Sequence, residues 1–220
     1  MTAAETLADI HARIEKAAKV AGRESNVTLV AVSKTFGADE IRPLLEAGQR
    51  VFGENRVQEA ATKWSALREA FPGVELHLVG QLQSNKAAEA VALFDVIHSL
   101  DRSSLVAALA KAMTAEGRRV PCFVQVNIGG EAQKGGVPIN DLPALMDEAR
   151  AADIPLAGLM CVPPAEKEPA PYFALLAKLA ADNGLTGLSM GMSADFETAV
   201  QLGATHVRVG SALFGTRETD

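Results

Sequence analysis

The chain has 220 residues, 48% of them hydrophobic and only 5% aromatic, with a formal net charge of −6. That length suits one large domain or two small ones, and the apolar content supplies a substantial core. The acidic balance argues against nucleic-acid binding, no apolar run reaches the roughly 18–20 residues needed to cross a membrane, and the opening residues lack the apolar core of a signal peptide, so a cytoplasmic protein is expected.

Residues 3–22 read as an amphipathic helix, with Leu7, Ile10, Ile14 and Ala17 or Ala18 on one face and Gly22 as its stop. Strand-like apolar runs follow at 29–34, 51–55, 75–80, 96–100, 122–127, 156–161, 187–192 and 206–210. Helical patterns fit between them at about 38–47, 56–70, 84–93, 102–116, 140–152, 169–182 and 194–202. Asp101 and Asn140 read as N-caps, and Gly48, Gly117, Gly184 and Gly203 as stops. The strands are continuous apolar runs rather than alternating ones, as parallel strands covered on both faces should be. Eight such strands, alternating with helices and unbroken by a linker, predict one (β/α)8 TIM barrel over residues 1–220 with an additional N-terminal helix. A doubly wound open sheet is the alternative. The stretch after the eighth strand is short, so a last outer helix is expected to be short or absent and helix 3–22 to cover part of that gap. Cys122 and Cys161 lie in apolar runs without metal-type spacing and read as buried free thiols. With no CxxC or HxxxH pair, no structural metal site is expected.

In such a barrel functional residues gather at the C-terminal ends of the strands. Lys34 stands there after Leu29–Ser33, Glu54 and Asn55 after the second strand, and Gln81 after the third. Asn127 ends the fifth strand, Ser189 and Ser193 flank the seventh, and Arg208 and Ser211 belong to the eighth. A lysine stem lies readily along apolar walls, but its ammonium is costly to desolvate, so burial frees a nucleophilic amine able to condense with an aldehyde. A lysine marking where a strand meets solvent is the plainer reading. Alternation groups Val30, Val32 and Lys34; Val51, Gly53 and Asn55; and His206, Arg208 and Gly210, with Gly53 and Gly210 leaving room for a flat ring.

The segments Ser189-Met190-Gly191-Met192-Ser193 and Gly210-Ser211-Ala212-Leu213-Phe214-Gly215 read as an anion cradle. Each leaves a strand with glycine and serine, whose backbone N–H groups and hydroxyls suit a phosphate. Plain turn chemistry is the alternative. No Walker-type or dinucleotide-type glycine motif occurs. Arg208, in Val207-Arg208-Val209, needs an acidic neighbour in a buried ion pair, a ligand anion or a ring nitrogen. His77 and His98 read as core histidines satisfied inside strands. Lys86 starts a helix near the mouth, and Lys134 sits in a glycine-rich loop able to gather anions.

Ordered motifs carry a resemblance: Val30-Ala31-Val32-Ser33-Lys34-Thr35, Phe52-Gly53-Glu54-Asn55-Arg56, His77-Leu78-Val79-Gly80-Gln81, Ser189-Met190-Gly191-Met192-Ser193-Ala194-Asp195 and Val207-Arg208-Val209-Gly210-Ser211. From about residue 5 to 217 the chain resembles the YggS/PROSC family of pyridoxal phosphate homeostasis proteins. The resemblance implies a barrel like the N-terminal domain of alanine racemases, the type III fold of pyridoxal-phosphate proteins. It implies pyridoxal 5'-phosphate held on Lys34 as a Schiff base. Asn55 would lie near the ring, Arg208 at the ring nitrogen or the phosphate, and Ser193, Gly210 and Ser211 at the phosphate. His77, Ser189 and Met190 complete the expected cofactor-binding set. A guanidinium only donates, so a ring nitrogen facing Arg208 would be unprotonated and a weaker electron sink. The implied role is storing or delivering the cofactor, without turnover, as a monomer, with pyridoxal-phosphate-dependent apoenzymes as recipients. An amino-acid racemase is the competing reading. That chemistry takes a second base, a tyrosine from an additional domain, and the tyrosine here is Tyr172, in Pro169-Ala170-Pro171-Tyr172. A Schiff-base aldolase is a third. The chain departs from the family's pattern at Gln81, where proline is frequent, at Ser211, where threonine is frequent, and in the loop from Gly129 to Lys134.

Overall fold

The apolar runs become eight short parallel strands in a computed structural model that describes residues 1–24 and 26–215. They are β1 (Thr28–Val32), β2 (Val51–Glu54), β3 (Glu75–Leu78), β4 (Val96–Leu100), β5 (Cys122–Gln125), β6 (Leu156–Met160), β7 (Gly187–Ser189) and β8 (His206–Val209). Each pairs with the next, and β8 returns to pair with β1, Val30 opposite Arg208. The sheet is a closed barrel, as the alternation predicted, and not an open one. Helix α1 (Ala3–Val20) precedes it. Helices α2 (Ala38–Glu46), α3 (Val57–Ala70), α4 (Ala87–Leu93), α5 (Ser103–Glu116), α6 (Leu142–Ala151), α7 (Ala170–Asp182), α8 (Phe196–Gln201) and α9 (Ser211–Phe214) follow successive strands. Positions 216 and 217, which the resemblance also covers, and the remainder of the expected 1–220 unit lie outside the described residues.

The main core lies between strands and helices and includes Phe52, Trp64, Phe94, Phe173 and Phe196. Val96, Phe123 and Met160 form a second, smaller core in the lumen. Two covered faces account for strands that read as unbroken apolar runs. Helix α1 begins with a reciprocal Thr2–Glu5 capping box and buries Leu7, Ile10, Ile14, Ala17 and Ala18. It packs on α8, α9 and α2, where the reading of residues 3–22 placed it. Arg13 donates to both carboxylate oxygens of Glu197 at 3.3 and 2.9 Å and lies over the Phe196 ring.

Several boundaries differ from the sequence reading. Strand β1 stops at Val32, so Lys34 lies in the turn beyond it rather than at its tip, and Thr35 takes a positive φ of 67°. Strand β7 stops at Ser189 because Gly191 turns the chain away with φ 91°, and a Cβ there would sit 2.5 Å from Ala199 Cβ. Asp101 and Asn140 are not N-caps. Arg102 holds the cap position of α5, and the Asp101 carboxylate instead accepts from Arg102 and from the Gly136 N–H. Asn140 lies inside a 3-10 turn, Ile139–Asp141, that leads into α6. Among the described residues no helix is long and apolar enough to cross a membrane.

Candidate functional site

A cleft of about 440 Å³ opens at the C-terminal ends of the strands. Lys34, Asn55, Ser193, Arg208, Gly210 and Ser211 line it together, although they come from the ends of four different strands. Val32, Val79, Val162 and Met192 supply apolar wall. Lys34 is exposed, which corrects the expectation that burial would free its amine. Gly53 is not open space either. A Cβ there would meet Val30 Cγ1 at 2.9 Å, so valine side chains already fill its vacancy.

On the β7–β8 side the chain forms a nest of backbone donors. The N–H groups of Gly210 and Ala212 both point at Ser193 Oγ, at 3.2 and 3.3 Å. An oxygen at the focus of two backbone donors marks a place suited to an anionic oxygen. A Cβ on Gly210 would sit 3.2 Å from the Val32 carbonyl, so glycine keeps this turn close to β1.

Arg208 forms the cleft's buried floor at 5% exposure. Its Nη1 donates to Ser189 Oγ at 2.6 Å and its Nη2 to the Cys161 carbonyl at 2.9 Å. Burial lowers its pKa, yet a guanidinium stays charged in a protein. No carboxylate pairs with it among the described residues, so the acidic neighbour that one reading required is not there. Three residues of the expected set do not line the cleft. His77 is buried in the lumen, bonded to His98 and Glu75. Ser189 lies under Arg208. Met190, the next residue, points the other way into the core between barrel and helices.

The surroundings of Lys34 contain an assembly with no counterpart in the sequence reading. Glu54 follows the alternation outward rather than to the mouth, and α3 buries it completely. Its Oε1 accepts from Ser33 Oγ at 2.6 Å and Trp64 Nε1 at 2.9 Å, and Lys63 Nζ lies 2.8 Å away. Lys63 also donates to the carbonyls of Ser33 and Phe36, at 2.8 and 3.1 Å. Glu59 accepts from the Thr35 N–H at 2.5 Å. The loop that carries Lys34 is thus fastened on both sides of it to α3. Burial pushes the Glu54 carboxyl up, against the opposing pull of Lys63, Ser33 and Trp64. Lys63 and Glu59 are i, i+4 on a helix, which in a sequence reads as a solvated pair.

The remaining candidates lie elsewhere. Gln81 donates to Gln125 and, with Arg56 and Lys86, borders a side chamber next to Asn55. Asn127 closes its own loop with Glu131. Lys134 pairs with Glu131 and donates to the Pro163 carbonyl, so it does not stand as a free anion collector. Cys122 and Cys161 are free and buried.

Residues 6–218 match the family model of the alanine racemase N-terminal domain. The chain is 41% identical over 224 residues to the pyridoxal phosphate homeostasis protein of Pseudomonas aeruginosa, covering 99% of this chain and 96% of that one. It is 38% identical over 228 residues to the pyridoxal phosphate homeostasis protein of Escherichia coli K12, covering 98% and 97%. Among solved structures, PipY of Synechococcus elongatus with pyridoxal phosphate bound matches at a TM-score of 0.86 and 38% identity, covering 97% of this chain and 100% of that one. The alanine racemase of Clostridium difficile, at a TM-score of 0.70 and 17% identity, covers 96% of this chain and 58% of that one and shares the fold.

Proposed function

From its membership of the pyridoxal phosphate homeostasis protein family, to which the chain belongs, we propose that it is a carrier of pyridoxal 5'-phosphate, holding the cofactor at the barrel mouth rather than turning over a substrate. The observation that carries the reading is one cleft in which an exposed lysine, a nest of backbone donors and a buried cation that pairs with no carboxylate among the described residues converge. Those three features match the three ends of the cofactor: an aldehyde, a phosphate and a pyridine ring. When bound, the cofactor supplies an aldehyde that condenses with an amine with loss of water. Lys34 Nζ would be that amine. Gly210, Ala212, Ser193 and Ser211 would hold the phosphate, Asn55 and the apolar wall would flank the ring, and Arg208 would donate to a ring or phosphate acceptor. Tyr172 packs in the helix layer and does not line the cleft, so among the described residues of this chain it does not supply the second base of the racemase reading. Delivery to apoenzymes, a monomeric state, a single unit over residues 1–220 and a cytoplasmic location belong to the same proposal, the last supported by two free thiols.

Borohydride treatment of cofactor-loaded protein, followed by peptide mapping, tests the anchor. The expected result is loss of the visible band and a reduced adduct on Lys34. An adduct on another lysine would overturn it. Pyridoxal lacking its phosphate should bind at least tenfold more weakly, and equal affinity would remove the nest from the proposal.

A further inference from the structure

Beneath the cleft a line of polar groups crosses the lumen. Glu75 Oε1 lies 2.9 Å from His77 Nε2, and His77 Nδ1 lies 2.9 Å from His98 Nε2. His98 Nδ1 lies 2.8 Å from Ser189 Oγ, which accepts from Arg208 Nη1 at 2.6 Å. These groups belong to β3, β4, β7 and β8. Glu75 begins its strand at the opposite end of the barrel from the cleft, where its side chain is 48% exposed. His77, His98 and Ser189 are fully buried.

With neutral rings, elementary donor and acceptor rules give the line one direction. Arginine only donates, and an ionised carboxylate only accepts. Glu75 therefore requires a hydrogen on His77 Nε2, and in a neutral ring that leaves Nδ1 an acceptor. His98 must then donate from Nε2 and accept at Nδ1, where the Ser189 hydroxyl places its single hydrogen. That leaves the Ser189 oxygen turned toward Arg208. In that arrangement every donor along the line meets an acceptor. Burial first, and then the charged and titratable groups that face it, His77, His206 and Arg208, hold His98 well below the ordinary histidine value. His206 stands 5.9 Å from the His98 ring and 6.0 Å from that of His77, and it is itself lowered to about 4 by burial and by His77. Its Nδ1 is engaged by Thr205 Oγ1.

We propose that Glu75, His77, His98 and Ser189 are positioning residues for Arg208, holding its guanidinium in place under the ligand through one directed chain of hydrogen bonds anchored on a carboxylate at the far end of the barrel. The chain does the work an adjacent carboxylate would do, without filling the cleft: it sets an oriented oxygen against the guanidinium and ends on a negative charge. A reversed or broken link turns the Ser189 hydroxyl and frees Arg208 to shift. The proposal rests on the reading of Arg208 as a ligand contact.

The first test needs no ligand. Long-range nitrogen–proton NMR of the histidine side chains at about pH 7.5 should show His77 and His98 as neutral Nε2–H tautomers. A protonated ring, or an Nδ1–H tautomer in either, would overturn the proposal. The second uses the exposed end of the line. Glu75→Ala should mix the tautomers, weaken pyridoxal phosphate binding by about three- to tenfold and shift the visible band, while borohydride still labels Lys34. Glu75→Gln, whose amide oxygen still accepts, should restore the tautomers and bind within about twofold of the native protein. A Glu75→Ala protein with native affinity, band and tautomers would overturn the positioning role. Native tautomers with no labelling of Lys34 in the unaltered protein would instead overturn the ligand reading, and the positioning role with it.

Discussion

Burial pushes both thiols, Cys122 and Cys161, up to about 12, with Arg208 pulling Cys161 slightly back, so neither offers thiolate at neutral pH. Iodoacetamide at about pH 7.5 should leave both unmodified in the native protein and label both in denaturant. Prompt labelling of either before unfolding would contradict the packing. Ser193 is the opposite case, a hydroxyl held at the cleft by two backbone donors. Ser193→Ala removes one partner of a hydrogen-bonded set, a loss of about 1 kcal/mol. It should therefore lower affinity for pyridoxal phosphate by about fivefold and leave affinity for unphosphorylated pyridoxal unchanged. A titration with both compounds decides it.

Helix α3 matters to the site without touching the cleft. Its Lys63 answers the buried Glu54 and ties down the Ser33 and Phe36 carbonyls, and its Glu59 holds the Thr35 N–H. Lys63→Met would leave the buried Glu54 without its cation, with Ser33 and Trp64 as its remaining donors. Breaking a buried pair on one side costs about 3–5 kcal/mol. A carboxyl already pushed upward by burial can take up a proton, which brings the expected loss to the low end, about 3 kcal/mol. Urea unfolding should show that loss, and Lys63→Met with Glu54→Gln should recover part of it. Binding of pyridoxal phosphate should weaken in both variants, because the loop around Lys34 is untied in each. Full recovery of binding in the double variant would separate the lock from the lysine.

The lumen makes the whole molecule sensitive to acid. His206 is neutral in the fold down to about pH 4, whereas an unfolded histidine takes up its proton near 6.5. The unfolded chain therefore binds more protons between those values, and stability falls as pH drops from about 6.5 toward 4. At about 1.4 kcal/mol per unit the loss from this group is on the order of 2–3 kcal/mol, allowing for its partial exposure. His98, held low by burial and by the facing His77, His206 and Arg208, acts in the same direction. Glu75, lowered by its bond to His77, adds a loss at still lower pH. Urea midpoints measured between about pH 7.5 and 4.5 should decline, and His206→Gln should flatten part of that decline. A level profile in the native protein would rule the account out.

The order and type of the elements could be read from the chain because they depend on neighbours in sequence. Apolar runs marked all eight strands. The helix stops at Gly48, Gly117, Gly184 and Gly203 each take a positive φ that suits glycine. Part of the site was legible for the same reason: strand C-terminal ends meet in a barrel, so Lys34, Asn55, Arg208 and Gly210 had to share a mouth once the barrel was inferred. Periodicity says which face of an element is apolar, and it is silent on which polar groups meet across the space that elements enclose. Only closure of β8 onto β1 sets Arg208 over the lumen, with Ser189 beneath it and His98 and His77 behind. Only the packing of α3 turns Lys63 from a surface partner of Glu59 into a nearly buried cation beside Glu54. Those contacts join residues about 10 to 90 positions apart, and their energies depend on desolvation, which no local pattern records.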